Sequence, residues 1–511
     1  VLLIVIDQLP SEAFLRLRPL LSPRGALRRL ETEGRLYQRM VYPYATTYTA
    51  PGHTMIVSGA TPSESGITCN FWIEPETGRA RSSVDDGRHP VLGLAGAHAA
   101  PDALRVETVG DVVAAGTKGA RGRGKVVSLS LKDRAAILSA GKRPDLALWY
   151  EAKARTFTTS TYYADRRPAW LERYLAAHPI SLNGTTWAPA DSEALTVRLG
   201  EDDAPGEGSY EGLGTTFPYT LDDSPAASKA WRIFPQSSEY LLELAFEAAV
   251  QTGLGEDDHP DLLVVSVSGT DYAGHVFGPH SWEYADHLRR ADLAIGRLID
   301  RLRKRSEVAV LITSDHGVAP LPERSAASHP GARRLSAETL TAPVEAALDA
   351  ALGPGDWVAG FNAPYLFLTP TALGHPETAR LRELAVQALE AIPGVLSAHD
   401  TARADALQEG DVAHARAIRL SLHPATSGPI YVVNEAYSIP DIAVVPEHGT
   451  THGSPFEYDT NVPAWLLAPG LSPATHTEAL DQRRIAPTLA ALLGVRPPTA
   501  ATASPLPGVD R

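Results

Sequence analysis

Apolar residues gather in short unbroken runs separated by longer amphipathic stretches. The runs at 1–6, 126–131, 146–150, 262–267, 308–313 and 465–467 have the length of strands and few polar positions. A strand that is apolar on both sides must be covered on both faces, as in a buried parallel sheet. Between some of these runs the spacing becomes helical. Leu288, Ala291, Ile295, Leu298, Ile299 and Leu302 recur at three- and four-residue steps, and 237–250 follows the same pattern. The alternation predicts an α/β fold, a mostly parallel sheet sandwiched between helices.

Two stretches break the rhythm. Residues 151–230 are rich in Thr, Tyr, Trp, Pro and Asp, with few long apolar runs. Residues 355–445 mix strand-like pieces at 365–368 and 430–434 with a helical run at 377–391. Both read as insertions that cap the sheet. The core is therefore expected in three parts, 1–150, 231–354 and 446–511, with inserted capping regions at 151–230 and 355–445. No internal repeat or long low-complexity segment is visible.

Composition narrows the class. The 511 residues are 44% hydrophobic and 21% charged, ordinary for a globular protein with a sizeable core. The net charge of −14 and the lack of a long Lys/Arg run disfavour binding to a nucleic-acid duplex. No apolar stretch reaches the ~20 residues of a transmembrane segment. The single cysteine, Cys69, rules out an intramolecular disulfide and a Cys-rich metal site. No basic stretch precedes the first apolar run, so the sequence displays no secretory signal. Oligomeric state is not encoded in any motif.

Three acidic residues stand just past apolar runs: Asp7, Asp271 and Asp315. Ligands of open α/β sheets bind beyond the carboxyl ends of the strands, so the three carboxylates are expected at one edge. An Asp after a strand is more often a turn or helix-cap residue. Three of them, two with histidine neighbours, are less ordinary. His316 follows Asp315 directly, and His275 follows Asp271 by one helical turn. Asp and neutral His are suitable Zn²⁺ ligands. A further histidine lies in Thr451-His452-Gly453, with His448 as a rival on spacing alone.

Thr49 opens the segment Thr49-Ala50-Pro51-Gly52-His53, which precedes a helix-compatible stretch. Thr49 suits an N-cap and Pro51 the first turn. An ordinary cap is the plain reading. A hydroxyl beside free backbone N–H groups is also a phosphate cradle, and a nearby metal would activate it as a nucleophile. Lys132 and Arg134, two apart, would share a side of an extended segment. The alternative is a solvated loop, although the chain has only seven lysines.

These motifs, in this order, resemble the alkaline phosphatase superfamily: Thr49-Ala50-Pro51-Gly52-His53, Asp271 to His275, Ser314-Asp315-His316-Gly317, and Thr451-His452-Gly453. Asn70 and the segment Ser130-Leu131-Lys132-Asp133-Arg134 narrow the resemblance to PafA-type alkaline phosphatases with a threonine nucleophile. Phe71 and Cys69, which flank Asn70, depart from that pattern. The resemblance implies a periplasmic or secreted enzyme acting on small-molecule phosphate monoesters. It implies two Zn²⁺, one on Asp271, His275 and His452, the other on Asp7, Asp315 and His316 beside Thr49. It also implies that Asn70, Lys132 and Arg134 bind phosphoryl oxygens. A phosphodiesterase or nucleotide pyrophosphatase of the same superfamily would share the metals and the threonine but not the Lys132/Arg134 pair. A sulfatase would need a different context around its Cys or Ser than Cys69 provides. A non-catalytic phosphate- or metal-binding ectodomain would bind metal without turnover.

Overall fold

A computed structural model describes residues 1–74, 78–116, 123–410, 412–441 and 447–509. The strands that matter here are β1 (Leu2–Ile6), β2 (Arg35–Val41), β3 (Val126–Ser130), β4 (Leu146–Glu151), β5 (Thr156–Thr158), β6 (Leu262–Val267) and β7 (Val310–Thr313). They continue with β8 (Val358–Asn362), β9 (Tyr365–Leu368), β10 (Val395–Asp400), β11 (Ile430–Asn434), β12 (Asn461–Leu467) and β13 (Ala474–Asp481). The helices are α1 (Ala26–Glu33), α2 (Thr49–Ser58), α3 (Asp133–Ala140), α4 (Pro235–Thr252), α5 (Gly269–Phe277), α6 (Trp282–Arg303) and α7 (Ile485–Leu492).

Nine strands form the central sheet, in the order β13-β2-β12-β7-β1-β6-β3-β4-β5. Its centre, β7-β1-β6-β3-β4, is parallel throughout. The strands β1, β3, β6 and β7 are buried at every position, as their unbroken apolar runs require. All six expected strands are present. The last of them, the run at 465–467, was expected to be parallel, but it lies in β12, antiparallel to both β7 and β2. An apolar run fixes burial, not direction, which the connections decide. Helices cover both faces. The side chains of Ile4, Ile6, Val265 and Ile312 enter one core with α1, α4 and α6, while those of Leu3, Val5, Val264 and Leu311 enter the other with α2 and α7.

The two irregular stretches differ in how they attach. Trp187, Leu195 and Tyr219, from the first, join the same core as α4 and α6. In the second, β8, β9, β11 and β10 form a separate four-stranded antiparallel sheet. Helices Ala337–Leu352 and Thr378–Glu390 cover that sheet with a core of their own.

Helix α1 is pinned by a buried acid. Asp292 of α6 accepts a 2.7 Å hydrogen bond from Leu27 N through Oδ1, and its Oδ2 has no partner. Burial raises this carboxyl from 3.8 to about 7. The folded state therefore holds a proton that the unfolded chain has released. Stability from this group is complete below the unfolded value and is lost as pH rises through the folded one. Asp292→Asn keeps an acceptor for Leu27 N without the charge. The variant should gain stability relative to the wild type on going from about pH 5 to about pH 8, by roughly 1–3 kcal/mol. Paired thermal melts at the two pH values measure the gain. An unchanged difference would mean that Asp292 ionises as an ordinary carboxylate.

Candidate active site

The carboxyl ends of β6, β1 and β7 are adjacent in the sheet. Ile6 pairs with Val267, and Val5 with Thr313. The chain therefore leaves three neighbouring strands at one level, and Asp7, Asp271 and Asp315 arrive together, each almost wholly buried. Asp271 does not sit directly on its strand end. It lies in the first turn of α5, which places His275 one turn later on the same face.

Thr49 is fully buried as the first residue of α2, and Tyr48 rather than Thr49 occupies the cap position. The threonine side chain is thus not consumed in capping. Its Oγ1 lies 3.4 Å from His316 Nε2 and 3.2 Å from Lys132 Nζ. Helix α2 is buried at every position, and Gly52 lets it approach closely, since a Cβ there would stand 2.2 Å from the Asp315 carbonyl oxygen. Asn70 Oδ1 accepts the Ala50 N–H at 2.9 Å, so Asn70 sits at the same helix start.

Three histidines are held in one tautomer. His275 Nδ1 is 2.8 Å from the Thr450 carbonyl, His316 Nδ1 2.9 Å from that of Gly317, and His452 Nδ1 2.7 Å from that of Thr47. A carbonyl only accepts, so Nδ1 carries a proton and Nε2 is the ring atom left to face a ligand. Each Nε2 faces carboxylates. His316 Nε2 is 3.5 Å from Asp7 Oδ1 and 3.3 Å from Asp315 Oδ2. From Asp271 Oδ1, His452 Nε2 is 3.7 Å away and His275 Nε2 3.4 Å. Burial lowers the His316 pKa to about 3 and also lowers that of His452, which keeps both imidazoles neutral.

This donor set fits metal ions. Asp7, Asp315 and His316 form one cluster with ligand atoms within 4.8 Å of one another, and Asp271, His316 and His452 form another. Both Asp7 oxygens and Asp315 Oδ2 are buried without an aligned hydrogen bond. Burial, then repulsion from Asp271 and Asp315, drives the Asp7 pKa well above the carboxylate range. Buried Asp271 and Asp315 are held below it, Asp271 by Lys132 and His275, and Asp315 by His316 and His53. An anionic cavity lined with neutral Nε2 atoms is the arrangement that a divalent cation stabilises. The rival histidine, His448, is exposed and near Glu323.

Lys132 departs from expectation. It caps α3, and Arg134 lies in that helix, so the two are not side by side on an extended segment. Lys132 Nζ lies among the carboxylates, 2.8 Å from Asp7 Oδ2 and 2.6 Å from Asp271 Oδ2. Arg134 keeps a buried Nε without a partner.

Sequence reasoning missed several supporting residues. His53 Nδ1 is 2.9 Å from the Thr49 carbonyl and 3.2 Å from Asp315 Oδ2. Gln8 donates its backbone N–H to Asp315 Oδ1 and its Nε2 to Asp271 Oδ1. It adopts a φ of 66°, uncommon for a residue other than glycine, and Tyr284 Oη donates to its carbonyl. Adjacency to Asp7 was the only signal for Gln8. His53 was visible within the threonine motif.

Known proteins match this architecture along the whole chain. An alkaline phosphatase, PhoV, from Synechococcus elongatus is 29% identical over 93% of the chain and 86% of its own length. The alkaline phosphatase PafA of Elizabethkingia meningoseptica is 28% identical over 98% of the chain and 93% of its own length. A crystal structure of wild-type PafA superposes with a TM-score of 0.90 at 26% identity, covering 100% of this chain and 98% of that one. The family model for type I phosphodiesterase / nucleotide pyrophosphatase matches residues 1–464, and the chain belongs to that family.

Proposed function

We propose that the chain is an alkaline phosphatase that hydrolyses phosphate monoesters through a covalent phosphothreonine on Thr49, at a site holding two Zn²⁺. The observation that carries this reading is the surroundings of Thr49 Oγ1. It is a buried hydroxyl at a helix start, beside two Asp/His clusters and 3.2 Å from a lysine ammonium. The proposed ligands are Asp271, His275 and His452 for one ion, and Asp7, Asp315, His316 and Thr49 for the other. When bound, the ions supply positive charge that acidifies the threonine hydroxyl and neutralises phosphoryl oxygens. A periplasmic or secreted location rests on the family resemblance.

The chain's own groups then divide the work. Thr49 Oγ attacks phosphorus, the ester P–O bond breaks, and the alcohol leaves. Water attacks the phosphothreonine in turn, releasing phosphate and restoring the hydroxyl. Because Asn70 Oδ1 is taken by Ala50 N–H, its amide group is turned so that Nδ2 is the free donor for a phosphoryl oxygen. The unpartnered Arg134 Nε suits the same task. His53 and Gln8 hold Asp315 and Asp271 in place.

The family name favours a second reading, a phosphodiesterase. A monoester dianion has three non-bridging oxygens and a diester two, so a cation reserved for the third oxygen separates them. Arg134 is the cleaner probe, because Lys132 also neutralises Asp7 and Asp271. Arg134→Ala should lower kcat/KM for an aryl phosphate about 10- to 10²-fold, and for its methyl diester by less than about threefold. Lys132→Ala should lower both. Equal losses in Arg134→Ala, with wild-type rates favouring the diester, would make the diesterase reading the better one.

Metal removal tests the other half. Prolonged chelation should abolish aryl phosphate turnover, and Zn²⁺ should restore it at about two equivalents per chain. Full activity in protein shown by elemental analysis to be metal-free would eliminate the two-zinc mechanism. Restored zinc content without turnover would indicate a binding protein.

A further inference from the structure

Because β12 runs antiparallel to β7, with Ile312 opposite Trp465, the chain entering β12 passes the chain leaving β7 toward Asp315 and His316. Two backbone bonds join them there. Gly317 N donates to the Asp459 carbonyl at 2.7 Å, and Val318 N to that of Tyr458 at 2.9 Å. The approach is close, since a Cβ on Gly317 would stand 2.0 Å from the Tyr458 carbonyl oxygen.

The side chain of Asp459 holds a different loop. Its Oδ2 accepts from Ser454 N at 2.8 Å and from Ser454 Oγ at 2.6 Å. Ser454 follows His452 by two residues, and both are also fastened to the segment before Thr49. The Ser454 carbonyl accepts from Thr47 Oγ1 at 3.1 Å, and His452 Nδ1 lies 2.7 Å from the Thr47 carbonyl. Asp459 thus joins two stretches that carry ligands proposed for different ions, His452 for one and Asp315 with His316 for the other.

Asp459 is fully buried, and its Oδ1 has no hydrogen-bond partner. Among the described residues it has no ion-pair partner either. Burying a carboxylate in this way is costly, and a neutral side chain would cost less. The double hydrogen bond to Ser454 is what an apolar side chain there could not supply. Groups behind the ligands of a metal orient those ligands and tune affinity. We propose that Asp459 is a positioning residue, which fixes the His452 loop against the Asp315–His316 stretch and so sets how tightly the ion on Asp271, His275 and His452 is held. The proposal rests on the two-ion reading above. Replacing the side chain cuts only the link to Ser454, because the bonds from Gly317 and Val318 go to backbone carbonyls. The ion on Asp7, Asp315 and His316 is therefore affected less.

The test reads zinc binding rather than turnover. Chelated, metal-free protein is titrated with Zn²⁺ against a chromophoric chelator, which gives a constant for each ion. Asp459→Ala should weaken one ion about ten- to a hundredfold and the other by less than about threefold. His452→Ala identifies the affected ion, since it should weaken the same step. Asp459→Asn keeps an acceptor for Ser454 N and can turn its Nδ2 to Ser454 Oγ, so it should hold zinc to within about threefold of the wild type. Ser454→Ala breaks the Oγ bond from the other side and should weaken the same ion by about threefold or more. It carries the test if Asp459→Ala does not fold. Combined with Asp459→Ala it should add nothing further, because both changes cut one link. Unchanged constants in Asp459→Ala and Ser454→Ala, or equal weakening of both ions, would overturn the proposal and leave the two-ion reading standing. A wild type that binds no zinc would overturn both.

Discussion

Burying like charges at one end of the parallel sheet is the constraint around which the site is organised. Asp7, Asp271 and Asp315 reach a common level because β6, β1 and β7 run parallel and in register. None of the three carboxylates is more than 2% exposed. Removing an unpaired carboxylate from water costs several kcal/mol after relaxation. The surrounding chain answers that cost group by group. Lys132 lies between Asp7 and Asp271, His53 against Asp315, and Gln8 donates to both Asp271 and Asp315. Asp7 is the residue left without an aligned donor. The fold is thus shaped to hold positive charge beside the Thr49 hydroxyl, and the proposed chemistry uses that charge.

Much of this was legible in the sequence, for definite reasons. Strands buried on both faces are unbroken apolar runs, so the parallel centre stood out. The outer strands did not. In β2, Arg35, Gln38 and Arg39 interrupt the run, and β13 is largely exposed, so neither carries a core signature. The acids at strand ends and the His spaced one turn from Asp271 were visible because their placement follows from local geometry. The tertiary details were not. Lys132 was expected to share a side of an extended segment with Arg134, yet it caps α3 and its ammonium lies between the carboxylates of Asp7 and Asp271. Gln8 acts through a contact with Asp271, 263 residues away in the chain, which no local pattern encodes.

The wall that carries Asn70 is built jointly with the second irregular stretch. Cys69 Sγ donates to the Ala363 carbonyl, Thr68 Oγ1 to that of Thr426, and Asn362 Nδ2 to that of Phe71. Asn70 is therefore fixed from two sides, by α2 and by the β8–β9 turn. The first irregular stretch reaches the other side, where Gly208 N donates to the Val276 carbonyl and the Gly206 carbonyl accepts from Gly449 N. Both stretches thus contact the backbone around the candidate site. The second stretch contributes both backbone carbonyls, of Ala363 and Thr426, and the side-chain amide of Asn362.

The claim on which the account rests is that Thr49 becomes phosphorylated during turnover. Zinc-loaded enzyme mixed with excess aryl phosphate would be quenched in acid within a turnover, digested, and mapped by mass spectrometry. The account predicts a phosphoryl group on the peptide containing Thr49, on that side chain, and none after Thr49→Ala. A phosphoryl group on another residue, or full turnover by Thr49→Ala, would contradict it.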